Sequence, residues 1–125
     1  MGRETLSSLE RKASLSWLLA FYGEMLTENQ KEMARLYWEE DLTLAEIAQQ
    51  FSVSRQSVHD TINRTEKQLE VLEEKLGLLQ RFKRVEEGLR ACEKELGQVS
   101  ASEETKPHLA AARRWIAALL DQEEE

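Results

Sequence analysis

Residues 41–64 read DLTLAEIAQQFSVSRQSVHDTINR, and this stretch leaves little choice of local structure. Thr43 and Glu46 are spaced to cap one helix reciprocally, and Ser54 stands where it would cap a second helix starting at Arg55. Phe51, Ser52 and Val53 lie between, room for no more than a tight turn. Ile47, Ala48, Phe51, Val53 and Val58 fall where two short, steeply crossing helices need inward apolar or small residues. The pattern is that of a helix-turn-helix whose second helix presents polar side chains outward. Ser52 is its unusual member, because the turn often needs positive φ and there commonly uses glycine.

The rest of the chain is expected to be helical as well. Alternating β-branched runs are missing, the chain has a single proline, and apolar residues recur at spacings of three and four. A first helix from Leu6 to Tyr22 would carry Leu15, Leu18, Leu19 and Tyr22 on one face and stop at Gly23. Thr27 and Gln30 would cap a second helix that carries Met33, Leu36 and Tyr37 inward, up to Glu39, Glu40 and Asp41. The helix from Arg55 meets no strong breaker before about Leu96, so one long helix is expected, weakened at Gly77 and Gly88. Leu69, Leu72, Leu76 and Leu79 along it form a candidate dimerisation seam, and Phe82 then shifts the heptad register. Cys92 reads as a small hydrophobe within the next apolar run. After a polar loop, Pro107 suits the first turn of a last helix with Leu109, Ala112, Trp115, Ile116 and Leu119 on one side. The acidic tail QEEE reads as solvated.

The organisation is therefore all-α. Residues 1–65 hold the N-terminal helices and the helix-turn-helix, 66–97 the long helix, 98–107 a linker and 108–125 the amphipathic helix with its tail. The apolar run from Trp17 to Tyr22 falls far short of the roughly 20 residues that span a bilayer. With a lone cysteine, no disulfide framework and no targeting segment, a cytoplasmic protein without membrane insertion is expected. Glycine-rich phosphate loops, CxxC pairs and nucleophile motifs do not occur, so neither an enzyme nor a cofactor or metal is expected. His59 and Asp60 are sequence neighbours on a helix and point about 100° apart, which disfavours an acid–base pair.

What the second helix meets follows from its side chains and from the charge around it. Ser54 can reach a phosphate at the helix N-terminus, Arg55 and Arg64 supply positive charge, and Gln56, Ser57, His59 and Asn63 are of the types that meet base edges. Yet residues 51–65 carry only Arg55 and Arg64 against Asp60, net +1, while residues 24–50 carry seven acids against Lys31 and Arg35, net −5, in a chain of net charge −7. Two readings stay open: a nucleic-acid binder, DNA or RNA, with a thin positive footprint, or a docking unit whose acidic flank meets a basic partner. A homodimer would double the footprint.

The run from Leu18 to Leu76, with FY ahead of the LT cap, the aromatic pair Tyr37 and Trp38, LAEIA, VSRQSV and NRTEK, resembles the YlxM family of small bacterial helix-turn-helix proteins. More distantly, it is similar to the promoter-reading fourth region of sigma factors. The resemblance implies an all-α, dimeric cytoplasmic protein that acts with components of the signal recognition particle pathway. The sigma-like pattern implies Arg55, Gln56 and His59 as the principal DNA-facing residues. It generally supplies arginine where this chain has Ser57 and His59, which implies weaker binding than a promoter reader's. The chain beyond Arg90 is longer than the family resemblance leads one to expect.

Overall fold

The computed structural model describes the backbone of residues 2–124 and the side chains of residues 8–121, and every regular element among them is helical. In order these are α1 (Gly2–Tyr22), a short 3-10 turn (Gly23–Met25), α2 (Glu28–Trp38), α3 (Leu44–Phe51), α4 (Arg55–Leu76), α5 (Leu78–Gly97) and α6 (Lys106–Glu124). Side chains before Ser8, Leu6 included, and those of the QEEE tail lie outside the described residues. None of the described helices is long and apolar enough to cross a membrane. The chain divides into two compact units, Met1–Leu79 and Gln80–Glu125.

The first unit is organised around α4, which packs against α1, α2 and α3. Its inward stripe is Val58, Ile62, Thr65 and Leu69, all 0–4% exposed, spaced four, three and four apart as one face of a helix requires. Leu15, Leu18, Leu19 and Tyr22 of α1, Met33, Ala34, Leu36 and Trp38 of α2, and Ile47 and Ala48 of α3 are buried with it. Each large member stabilises the fold by about 1.5–3 kcal/mol through the apolar surface it removes from water. Thr65, the polar residue that interrupts the apolar pattern, is fully buried, and its hydroxyl donates to the Thr61 carbonyl at 2.7 Å. Both capping boxes form. Thr27 Oγ1 accepts from Gln30 N while Gln30 Oε1 accepts from Thr27 N, and Thr43 and Glu46 do the same.

A single helix from Arg55 to Leu96 does not form. Gly77 adopts φ +62° and ends α4, a left-handed conformation that costs glycine little. A polar node then starts α5. The Tyr22 hydroxyl donates to Glu73 Oε1 at 2.7 Å and accepts from Leu78 N at 3.1 Å, while Glu73 Oε1 also accepts from Leu79 N at 3.0 Å. Two N–H groups that a helix start leaves without an intrahelical partner are thereby satisfied. Burial, and then the carboxylate beside it, raise the Tyr22 phenol above its ordinary pKa, so it stays a donor. Helix propensity along the sequence marks Gly77 as a weak point and no more, because the tyrosine that stabilises the break lies over fifty residues upstream.

The expected leucine seam is split by the same arrangement. Leu69 and Leu79 are buried, 0% and 5% exposed, and so present nothing to a partner; Leu72 is half-buried and Leu76 is 52% exposed. The first unit therefore runs on past residue 65 to Leu79.

In the second unit the 98–105 connection ends in a cap that the sequence pattern did not single out. Ser102 N donates to Thr105 Oγ1 and Thr105 N to Ser102 Oγ, so α6 starts at Lys106, two residues ahead of the expected start. Arg113 Nη2 donates to the Leu96 carbonyl at 3.3 Å. Among the described residues of α6, Ile116 and Leu120 are buried; Trp115 and Leu119, expected inward, are 72% and 44% exposed. Leu109, Ile116 and Leu120, seven and then four apart, define a face rotated from the one through Trp115. Cys92 is exposed too, so its place in an apolar run does not make it a core residue.

Replacing Tyr22 by Phe leaves the Leu78 N–H without its acceptor. Urea unfolding should show a loss of about 1–3 kcal/mol; an unchanged midpoint would remove this node as the basis of the helix break.

Candidate nucleic-acid interface

α3 and α4 are joined by Ser52, Val53 and Ser54, and the geometry of this turn decides how the second helix is presented. Ser52 adopts φ 55°, ψ 45°, in the left-handed region. Its N–H donates to the Gln49 carbonyl at 3.4 Å and the Val53 N–H to the Ala48 carbonyl at 3.1 Å, the paired bonds of a Schellman closure. Val53, expected to point inward, is 41% exposed, and Phe51 is half-buried, since reversing the chain at Ser52 carries the next residue out of the packed layer. Ser54 Oγ accepts from Ser57 N at 3.0 Å and caps α4.

Because Val58, Ile62, Thr65 and Leu69 fix the buried side of α4, the exposed side is fixed as well. Ser54, Arg55, Gln56, Ser57, His59, Asn63 and Arg64 are all exposed, but they do not form one patch. At about 100° per residue, Gln56, Asp60 and Asn63 lie opposite the buried stripe, Arg55 and His59 on one shoulder, and Ser57 and Arg64 on the other. Arg55, Gln56 and His59 share a shallow hollow with Leu44 of α3. Asn63 Nδ2 lies 3.4 Å from His59 Nε2. Gln56 Nε2 donates to Asp60 Oδ1 at 2.9 Å, so this candidate base reader is tethered to an acid on its own helix. His59 Nδ1 is 3.8 Å from Asp60 Oδ1, beyond hydrogen-bond reach. Arg55 and Arg64 make no ion pair among the described residues.

Two cations that sequence reasoning had not placed here come from α1. A cleft of about 250 Å³ is lined by Arg11, Lys12 and Leu15 on one side and by His59, Ile62, Asn63 and Glu66 of α4 on the other, with Tyr37, Trp38 and Leu44 between. Arg11 pairs with Glu66, and Lys12 Nζ lies 3.3 Å from Asp41 Oδ1 and 5.7 Å from the Tyr37 ring centre. Only the packing of α1 on α4 brings these residues together; no local motif announces it.

The acidic stretch from Glu24 to Glu46 is largely engaged within the chain. Glu24 pairs with Lys31, Glu32 and Glu40 with Arg35, Asp41 with Lys12, Glu39 accepts from Ser16, and Glu46 accepts from Thr43. Hydrogen bonds from Lys31, Arg35 and Thr43 hold Glu24, Glu32 and Glu46 below the usual carboxylate range. The Glu39, Glu40 and Asp41 carboxylates are turned toward three different partners rather than toward one cation.

A family model described as "Putative helix-turn-helix protein, YlxM / p13 like" matches residues 9–108. The UPF0122 protein of Halalkalibacterium halodurans is 42% identical over 96 residues, 77% of this chain and 88% of its own length. UPF0122 proteins of Bacillus cereus strain AH187 and Bacillus anthracis strain A0248 are 50% identical over 74 residues, 59% of this chain and 67% of theirs. The matched region extends past Arg90 through α5 and into the start of α6, so the chain outgrows the family pattern later than expected, after His108.

At Ser52 an L side chain occupies a conformation that costs roughly 1–2 kcal/mol, partly offset in a glycine variant by its freer unfolded chain. Ser52→Gly should therefore raise thermal stability by about 0.5–1 kcal/mol with α4 still presented as before. A destabilised variant would mean that the serine hydroxyl contributes more than the turn geometry reveals.

Proposed function

The chain belongs to the YlxM/p13-like family of helix-turn-helix proteins, and from that premise we propose that it is a regulatory protein that binds nucleic acid through the exposed sides of α4. The observation that carries this reading is that Arg55 and Arg64, with no ion pair among the described residues, stand on a capped helix whose outward residues include Ser54, Gln56, Ser57, His59 and Asn63. Arg55 sits at the N-terminal end of α4, where backbone N–H groups and the helix dipole favour a phosphate. Gln56, His59 and Asn63 present donors and acceptors of base-edge type. The alternative, a docking unit that meets a basic partner of the secretion machinery, depends on a free acidic flank. Six of the seven carboxylates between residues 24 and 50 are already held by partners within the chain, whereas Arg55 and Arg64 are held by none among the described residues, and this contrast favours the nucleic-acid reading.

We place the protein in the cytoplasm, as the family resemblance implies, and the RNA of the signal recognition particle is accordingly one nucleic acid to try beside duplex DNA. Arg55→Ala is expected to weaken binding and to lower the salt dependence by about one phosphate contact. Fluorescence anisotropy at low salt measures both quantities. If the wild type binds neither duplex DNA nor that RNA, the proposal is lost.

A homodimer is part of the same proposal, since two copies double a thin footprint. Of the leucines first considered, exposed Leu76 and half-buried Leu72 remain available to a second copy. Light scattering at micromolar concentration should give twice the chain mass, and Leu76→Glu, at an exposed site, should give the monomer without unfolding it. A wild-type monomer would refute the dimer and leave the binding proposal standing.

A further inference from the structure

We propose that the cleft between α1 and α4 is a second part of the nucleic-acid surface, in which Arg11 and Lys12 hold the phosphodiester backbone of a strand whose bases face α4. The inference rests on the binding reading above and extends it to residues of α1.

The cleft has two unlike lips. One carries Arg11 and Lys12 in successive positions of α1; the other carries His59 and Asn63, whose neighbours on the same helix are the candidate base readers. Leu15, Leu44 and Ile62 supply apolar surface between the lips. A sugar–phosphate strand has the same two-sided character, anionic oxygens flanking an apolar sugar face, and side chains of this kind fix the register of a protein on a strand without reading sequence. The alignment matters as much as the chemistry. The cleft opens beside the shoulder of α4 that holds Arg55 and His59, so a strand lying in it continues toward the hollow formed by Leu44, Arg55, Gln56 and His59.

Both cations have acidic neighbours, and neither is thereby used up. The Arg11 side chain is 66% exposed while that of its partner Glu66 is only 13% exposed, so the guanidinium faces solvent from the rim over a carboxylate set deeper. One nitrogen of Arg11 serves Glu66, and an arginine carries five N–H donors in a planar fork that suits a phosphate. Lys12 donates to Asp41 and retains two further ammonium hydrogens. Glu66 thus orients Arg11 toward the cleft, and Asp41, held at φ 56° after α2, does the same for Lys12. In this arrangement the shoulder of α4 that holds Arg55 offers a strand three cations, Arg11, Lys12 and Arg55, rather than one.

The test uses the full chain and a labelled short DNA duplex of mixed sequence, with anisotropy titrations at several salt concentrations. Arg11→Gln and Lys12→Gln should each weaken binding several-fold and lower the slope of log affinity against log salt by about 1. Glu66→Gln removes the opposing charge but keeps an amide oxygen that can accept from Arg11 and orient it, and should leave the slope unchanged and the affinity no weaker. If Arg55→Ala weakens binding while Arg11→Gln and Lys12→Gln leave affinity and slope at the wild-type values, the cleft is not part of the surface and the α4 reading survives. Equal weakening by Arg11→Gln and Glu66→Gln would mark the pair as a structural brace and overturn the proposal. A wild type that does not bind the duplex at all removes the cleft proposal together with duplex binding by α4.

Discussion

The orientation of α4 about its own axis is the constraint on which the rest of the first unit depends. Val58, Ile62, Thr65 and Leu69 are buried by three other helices, so rotating α4 by even one residue position would expose part of this stripe and drive polar side chains into the core. The outward residues from Arg55 to Arg64 consequently have no freedom of their own. The capping boxes and the Schellman closure at Ser52 act on the same quantity from the other end, by setting where α3 stops and where α4 starts. Packing determines the rotation of the helix, capping determines its register, and the chemistry of the candidate interface follows from the two together.

Electrostatics then limits what that interface can be. The family is one of helix-turn-helix proteins, and under the nucleic-acid reading proposed above a net charge of −7 would make non-specific adhesion weak. Acids flank the exposed side of α4 closely: Asp60 holds Gln56, and Glu66 and Asp41 hold the cations of α1. These exposed pairs add little to stability, commonly under about 1 kcal/mol, and their larger effect is to position long side chains. An arginine held by a carboxylate at the rim of a cleft is preorganised for a second oxyanion, at the cost of a less positive local field.

The all-helical class, both capping boxes, the core face of α1 and the turn at Ser52 were legible in the sequence, because each rests on successive residues no more than four positions apart. The break at Gly77 was legible only as a weak point. What makes it a break is Tyr22, whose hydroxyl and buried ring reach across from α1 to meet Glu73 and Leu78. The leucine pattern of Leu69, Leu72, Leu76 and Leu79 misled for a related reason, since heptad spacing specifies a face and not what covers it, and here the fold itself covers its two ends. On α6 the stripe through Trp115 was rotated from the one the chain buries, because alanines on several sides leave more than one apolar face to choose from. Of the candidate interface, the outward residues of α4 could be named from the capped motif alone. Arg11 and Lys12 could not, as their proximity to His59 and Asn63 is a property of helix packing.

A thin positive footprint also changes where discrimination between binding sites must come from. Affinity that rests on many phosphate contacts is high for every sequence and falls steeply with salt; affinity that rests on few is low for every sequence and falls gently. With few cations, the base-edge contacts proposed for Gln56, His59 and Asn63, each good bidentate pair contributing about 1–3 kcal/mol, would form a larger fraction of the total. Such a surface favours selectivity over strength, provided that the helix presenting it is held rigidly. The fully buried Val58 and Leu69, with Thr65 satisfied by its own helix between them, meet that condition.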